Sequence, residues 1–190
     1  MRVTVSLIFA LLIAVTVFIP PPALSAGADH ADYARRLDQF FGQLHSTTDA
    51  YEAKQIENKI RLIWSSNSTD DAVHQLSVAS LALQVGDFKV AGPILDQLVK
   101  DQPDFAEAWN RRATLYYVEG KYEESLADID KVLALEPRHF GAVSGKGACL
   151  RALGRDAEAL QAMKDAVAID HFIAGLSDAI KEMQKKTPEL

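Results

Sequence analysis

The stretch AWNRRATLYYVEGKYEESLADIDKVLALEP, from Ala108 to Pro137, decides the fold. It reads as two short helical patterns around Gly120, and neither half can bury its apolar face alone. Stepping 34 residues back and forward from it finds the same anatomy twice more. A small column reads Ala79, Ala113, Gly147, and a glycine column reads Gly86, Gly120, Gly154. A second small column reads Ala91, Ser125, Ala159. Apolar columns follow at Leu95, Ile129, Met163 and at Leu98, Val132, Ala166. Each copy closes on Pro103, Pro137 or His171. The period holds through three copies without a gap. Such a period marks an array in which every unit buries its neighbour's face.

The columns predict the elements. Glycine tolerates the left-handed backbone that ends a helix. Proline after the second helix cannot continue it. Helices are therefore expected over 72–85 and 88–101, 106–118 and 122–135, 140–152 and 156–169. The paired small columns let the two helices of a copy approach closely.

The three copies resemble tetratricopeptide repeats, at 72–105, 106–139 and 140–173. The middle copy carries the likeness best, with Trp109, Tyr116, Gly120, Tyr122, Ser125, Ile129 and Pro137 on the family pattern. The resemblance implies an all-α fold, a right-handed α-solenoid of three helix hairpins. Some residues depart from the pattern. Gln75 and Val143 stand in the Trp109 column. Gly92-Pro93 should shorten or kink the second helix of the first copy. Gly145-Lys146-Gly147 weakens a helix by about 1 kcal/mol per glycine relative to alanine.

The flanks fall off the repeat register. Residues 1–25 hold one charge, Arg2, then an apolar run from Val3 to Ile19, three prolines and small residues around Ser25 and Ala28. That order is a signal peptide with its cleavage site; the alternative is an inner-membrane anchor through residues 3–19. Residues 29–66 show helical spacing at Tyr33, Leu37, Phe40, Phe41 and Leu44, and again at Tyr51, Ile56, Ile60 and Ile63. They are read as an N-terminal helical pair packed on the first repeat, with a break and cap at Thr48-Asp49. Residues 172–187 are read as a C-terminal capping helix with the stripe Phe172, Leu176, Ile180 and Met183, since an open stack needs a solvating end. The arrangement also resembles small exported repeat proteins of alpha-proteobacteria, which implies a periplasmic or secreted location.

Composition narrows the function. The chain has 190 residues, 48% of them apolar, with a formal charge of −6. Net acidity argues against nucleic acid as a partner. The single cysteine, Cys149, leaves no intrachain disulfide and reads as a small apolar filler. FGAVSGKGA is no phosphate loop: three residues separate Gly141 from Gly145 where four are needed, and Gly147 replaces Ser or Thr. The histidines, His30, His45, His74, His139 and His171, show no ligand spacing. No catalytic residue, cofactor or metal is expected.

What remains is a surface. In the family's geometry the first helix of each hairpin lines a concave groove. Its candidate peptide contacts here are Leu76, Ser80 and Leu83 from the first copy, and Glu107, Asn110, Thr114 and Tyr117 from the second. Ser144 and Arg151 come from the third. Tyrosine gives contact area with little lost entropy, asparagine pairs with peptide groups, and arginine binds carboxylates. The cation–asparagine clamp that some such repeats close on a terminal carboxylate is absent, because Leu76 and Ser80 stand at its first-copy positions. The expected function is an interaction scaffold for a protein or peptide segment. The alternative is an accessory subunit of an envelope assembly that uses its convex face or N-terminal helices.

Overall fold

Short polar residues set where the helices begin. Asp49 accepts a hydrogen bond from the Glu52 amide, Thr69 from Ala72, and Asp87 from Val90. Each satisfies an amide that the first helical turn leaves unpaired. The computed structural model describes residues 26–186. Among the described residues it is all helical: α1 (Ala26–Ser46), α2 (Ala50–Ser65), α3 (Asp70–Gln84), α4 (Phe88–Asp101), α5 (Ala106–Val118), α6 (Tyr122–Leu135), α7 (Phe140–Ala152), α8 (Asp156–Ile169) and α9 (Leu176–Lys186). The leader or anchor read over residues 1–25 lies outside the described residues. Within them, no helix is long and apolar enough to cross a membrane.

Helices α3 to α8 form three hairpins stacked as an α-solenoid. The ends of α4, α5, α6, α7 and α8 are those expected from the sequence. Helix α3 starts two residues early, at Asp70, because Thr69 caps it. Gly86, Gly120 and Gly154 take φ of 79°, 76° and 74° at the turn inside each hairpin. Only glycine does this without strain. Helix α4 corrects the expectation that Gly92-Pro93 shortens it. Despite Pro93 it keeps 14 residues, the length of α6 and α8. An exposed proline removes one amide donor, and the packed face of α4 carries the rest: Ala91, Leu95, Leu98 and Val99 are all buried.

The small columns face each other as expected. Ala79, Ala91, Ala113, Ser125 and Ala159 are buried, and the Ser125 hydroxyl donates to the Ala113 carbonyl across the hairpin at 2.8 Å. Gly147 is the tightest point. A Cβ there would lie 2.8 Å from Met163 Cγ and 3.4 Å from the Ala159 carbonyl oxygen.

The N-terminal pair corrects a second expectation. Helices α1 and α2 lie not on the first repeat but across the α6–α7 junction and the end of α8. Trp64 stacks on His139, with ring centres 4.1 Å apart, and Phe41 meets Phe140 edge-on. Arg138 pairs with Asp38 at 2.7 Å, and the Tyr33 hydroxyl donates to Glu136. The reason lies in one column: Phe140 stands where the first two hairpins have Ala72 and Ala106. The large apolar surface that the pair can cover is therefore on the third repeat. Phe172 and Ile173 join that cluster. So Phe172 leaves the stripe expected of the end helix, and Gly175, at φ 73°, turns the chain into α9. Leu176 and Met183 then cover α8.

Ala113→Leu tests the close approach. The larger side chain wedges α5 from α6, and the fold loses about 1–3 kcal/mol. Thermal unfolding followed by circular dichroism measures the loss. An unchanged midpoint contradicts the tight hairpin.

Candidate functional site

Asn110, Thr114 and Tyr117 lie on one face of α5, spaced by four and three residues, as neighbours on a helix must be. Opposite them α7 carries Gly141, Gly145 and Ala148. Between these two walls is a notch of about 150 Å³, floored by Ile129 and Cys149. It exists because α7 lacks side chains there. The same columns hold Glu107 and Arg111 in the second hairpin. A Cβ on Gly145 would sit in ordinary contact with Ile129, at 3.5 Å. Tyr117 is 37% exposed and leans on Tyr122, ring centres 5.6 Å apart. Thr114 turns its hydroxyl back to the Asn110 carbonyl at 2.9 Å, leaving its methyl for the notch. Cys149 is buried, its sulfur 3.3 Å from the Ser125 hydroxyl, and burial pushes its thiol up.

The other sequence-read contacts scatter. Leu76 is buried and packs in the first-repeat core. Ser80, Leu83 and Ser144 are half-buried and Arg151 is exposed; none of them lines the notch. Glu107 is a correction. It is buried, not a groove carboxylate, and it is fully engaged. Arg111 pairs with Oε1 at 2.6 Å, and Asn110 Nδ2 donates to Oε2 at 3.2 Å. His139 Nε2 also meets Oε2, at 3.0 Å. His139 Nδ1 accepts the Ala142 amide at 3.1 Å. An amide can only donate, so the ring proton sits on Nε2 and is given to Glu107.

Sequence reasoning missed His139, Trp64 and the glycine wall. His139 and Glu107 lie 32 residues apart, off the repeat period, so no column links them. The glycine wall had a signal. Gly141 and Gly145 are four apart on a first helix that lines the groove, where their effect is a hollow as well as lower helix propensity. Among the described residues, no group of three or more His, Cys, Asp or Glu side chains converges to hold a metal.

A family model described as Tetratricopeptide repeat matches residues 78–133 and 110–172, half of the chain between them. The chain belongs to the tetratricopeptide repeat family. It is 42% identical over 128 residues to a TPR repeat-containing protein of Rhizobium etli, the match covering 67% of this chain and 63% of that one. It is 29% identical over 114 residues to the protein SGT1 homolog of Oryza sativa subsp. japonica, across 60% of this chain and 30% of that protein. The chain thus spans less than two thirds of the length of these two relatives. Solved structures share the fold. The first TPR of Spaghetti (RPAP3), bound to the HSP90 peptide SRMEEVD, matches with a TM-score of 0.60 at 16% identity, covering 64% of this chain and 97% of that one. The TPR2B domain of yeast Sti1 in its pHsp70 complex matches at 0.56 and 18% identity, covering 64% and 98%.

Within this tetratricopeptide stack, Glu107 ties the notch to the N-terminal pair. Asn110 holds one of its oxygens, and Trp64 stacks on the histidine that holds the same oxygen. Burial alone would raise the Glu107 carboxyl. The His139 hydrogen bond and the Arg111 charge outweigh it and hold the carboxyl below its ordinary value of 4.5. A depressed carboxyl contributes stability above its unfolded value and loses it as pH falls through the folded one. The Glu107 contribution is therefore complete at neutral pH, begins to fall only below about 4.5 and is lost as pH drops through the still lower folded value. Glu107→Gln removes the ionisation. The variant is less stable at neutral pH, and its stability falls less steeply than that of the wild type on acidification. Denaturant titrations across that range measure both slopes, and parallel slopes would remove Glu107 from the account.

Proposed function

We propose that this chain is an exported scaffold that grips a peptide or protein segment through its concave notch. One observation carries the reading: a half-open apolar hollow with a polar, aromatic wall on α5 and a bare glycine wall on α7. A cavity of about 150 Å³ admits a group the size of benzene, so the notch fits one apolar side chain of an extended segment. Tyr117 supplies contact area, and the Asn110 amide stands beside it to meet the segment's backbone. Two solved tetratricopeptide domains that share the fold are described with bound chaperone peptides. That supports a peptide as the class of ligand. The composition of residues 1–25 supports export, with the periplasm as the destination.

A second reading has its own observation. Tyr51 and Leu62 on α2 are exposed at 75% and 67%. An accessory subunit of an envelope assembly would use them, and the notch would then be idle.

Two variants separate these readings. Thr114→Ala with Tyr117→Ala leaves thermal unfolding nearly unchanged, because both side chains are exposed. It weakens a partner captured from an envelope extract by about 1–2 kcal/mol, roughly a tenfold rise in Kd. Gly145→Ala moves stability and binding in opposite directions. It raises helix stability by about 0.5–1 kcal/mol while narrowing the notch, so binding weakens in a more stable protein. Wild-type affinity in both variants, with loss on Tyr51→Ala and Leu62→Ala, transfers the function to α2.

A further inference from the structure

The second helix of every hairpin is covered by the helix that follows it: α4 by α5, α6 by α7, and α8 by α9. The first helices are treated less evenly. Helices α5 and α7 each receive the second helix of the preceding hairpin, while the matching face of α3 is open. His74, Val78 and Leu81 mark that face, spaced by four and three residues. Leu81 is 62% exposed, and its counterparts Leu115 and Cys149 are 3% and 0% exposed. His74 is exposed too, and its counterparts Ala108 and Ala142 are buried.

The two filled seats define what the open one takes. Leu115 Cδ2 lies 3.6 Å from where a Cβ on Gly92 would begin, and Cys149 Sγ lies 3.3 Å from the Ser125 hydroxyl. The Leu81 column therefore meets a small residue of the incoming helix. Four or five residues further along that helix, Asp96 and Asp130 pair with Arg112 and Lys146, both at 3.0 Å. The cations come three residues before Leu115 and Cys149, so the incoming helix runs antiparallel. In the first hairpin the cation column holds Val78, where an incoming acid would be desolvated without a partner. At the other end of the face, Asp70 and Asp71 open α3. An antiparallel helix brings its C-terminus there, and cations are favoured at a helix C-terminus.

We infer that the open face of α3 seats an amphipathic helix of another protein, in the place of a preceding hairpin's second helix. The helix runs antiparallel to α3. It sets a small residue on Leu81 and an apolar residue, four or five places on, against Val78. Its last turn is basic and lies beside Asp70 and Asp71. The seat continues an interface that the chain already builds twice, at α4–α5 and at α6–α7. A second copy cannot fill it in that way, because its own α4, α6 and α8 are all engaged. The formal charge of −6 draws in a helix with a basic end. The seat lies apart from the notch between α5 and α7.

The probe is a fluorescein-labelled peptide of residues 122–135, the helix already seated on α7, carrying Asp130→Leu and a C-terminal lysine pair. A lactam bridge on its outward side keeps it helical. Anisotropy titrations use the full chain and a chain starting at Ala26. Both bind the probe saturably, at least about tenfold tighter than the same peptide with Asp130 kept. Leu81→Lys raises the Kd at least about tenfold, with helix content and thermal midpoint unchanged. Val78→Lys restores the cation of the later repeats, so the peptide that keeps Asp130 becomes the tighter one. Thr114→Ala with Tyr117→Ala leaves the titration unchanged, which separates this seat from the notch. No saturable binding up to about 1 mM overturns the inference. So does binding that ignores Leu81→Lys, or a preference between the peptides that Val78→Lys does not reverse. Binding by the chain starting at Ala26 alone would give the seat to the first residues of this chain. A dimer in sedimentation that Leu81→Lys breaks would give it to a second copy. Either result also overturns the inference.

Discussion

The close approach of paired helices is the constraint on which the structure depends. Each hairpin brings its helices together on residues no larger than serine, and at Gly147 even a methyl group would collide with Met163. With the backbones this near, the larger side chains of each helix must point outward, to the next hairpin or to the groove. Ile129 does the first, its Cδ1 reaching within 3.5 Å of where a Cβ on Gly145 of the next hairpin would stand. Asn110, Thr114 and Tyr117 do the second. Groove and stack are two consequences of one short contact.

An array built this way creates a problem at its ends, because the rule that buries every inner face leaves the outer ones bare. The chain's solutions are unequal. Helix α9 covers the last hairpin as a solvating cap should. The N-terminal pair covers no end. It is drawn to Phe140, Phe172 and Trp64's partner His139, which offer more apolar area than the acidic start of α3, where Ala72 stands in the Phe140 column. Hydrophobic burial scales with area removed from water, so the aromatic flank of the third repeat wins over the nearer first repeat.

The architecture was legible because it repeats. A column that recurs at a fixed period carries three statements of the same contact, and helix ends followed from it almost to the residue. What was hidden has one statement each. The placement of α1 and α2 depends on a single column departure, Phe140 in place of alanine. The Glu107–His139 hydrogen bond joins residues 32 apart, just off the period. Pro93 looked like a breaker because local propensity is visible in sequence and the buried face of α4 is not. Asn110, Thr114 and Tyr117 were expected on the groove from the family's geometry, and they line the notch. Leu76 and Glu107 were misplaced because a helix that lines a groove also has flanks, and a few tens of degrees decide which side is wet.

Glu107 shows why such a misplacement matters for function. Read as exposed, it is one more contact for a ligand. Buried, it is a strut: one oxygen holds Arg111, and the other holds both Asn110 at the notch and His139 beneath Trp64. A buried carboxylate with several partners fixes their positions, because losing any one takes a hydrogen bond or, for Arg111, the balancing charge from a group in a low-dielectric setting. The amide of Asn110 is therefore oriented by Glu107 in the free chain, and a segment bound there as proposed would not carry the entropy of ordering it. The same strut reaches α2 through the histidine ring. The N-terminal pair thus does two things at once: it covers the aromatic flank of the third repeat, and it holds rigid the wall against which a segment would be read.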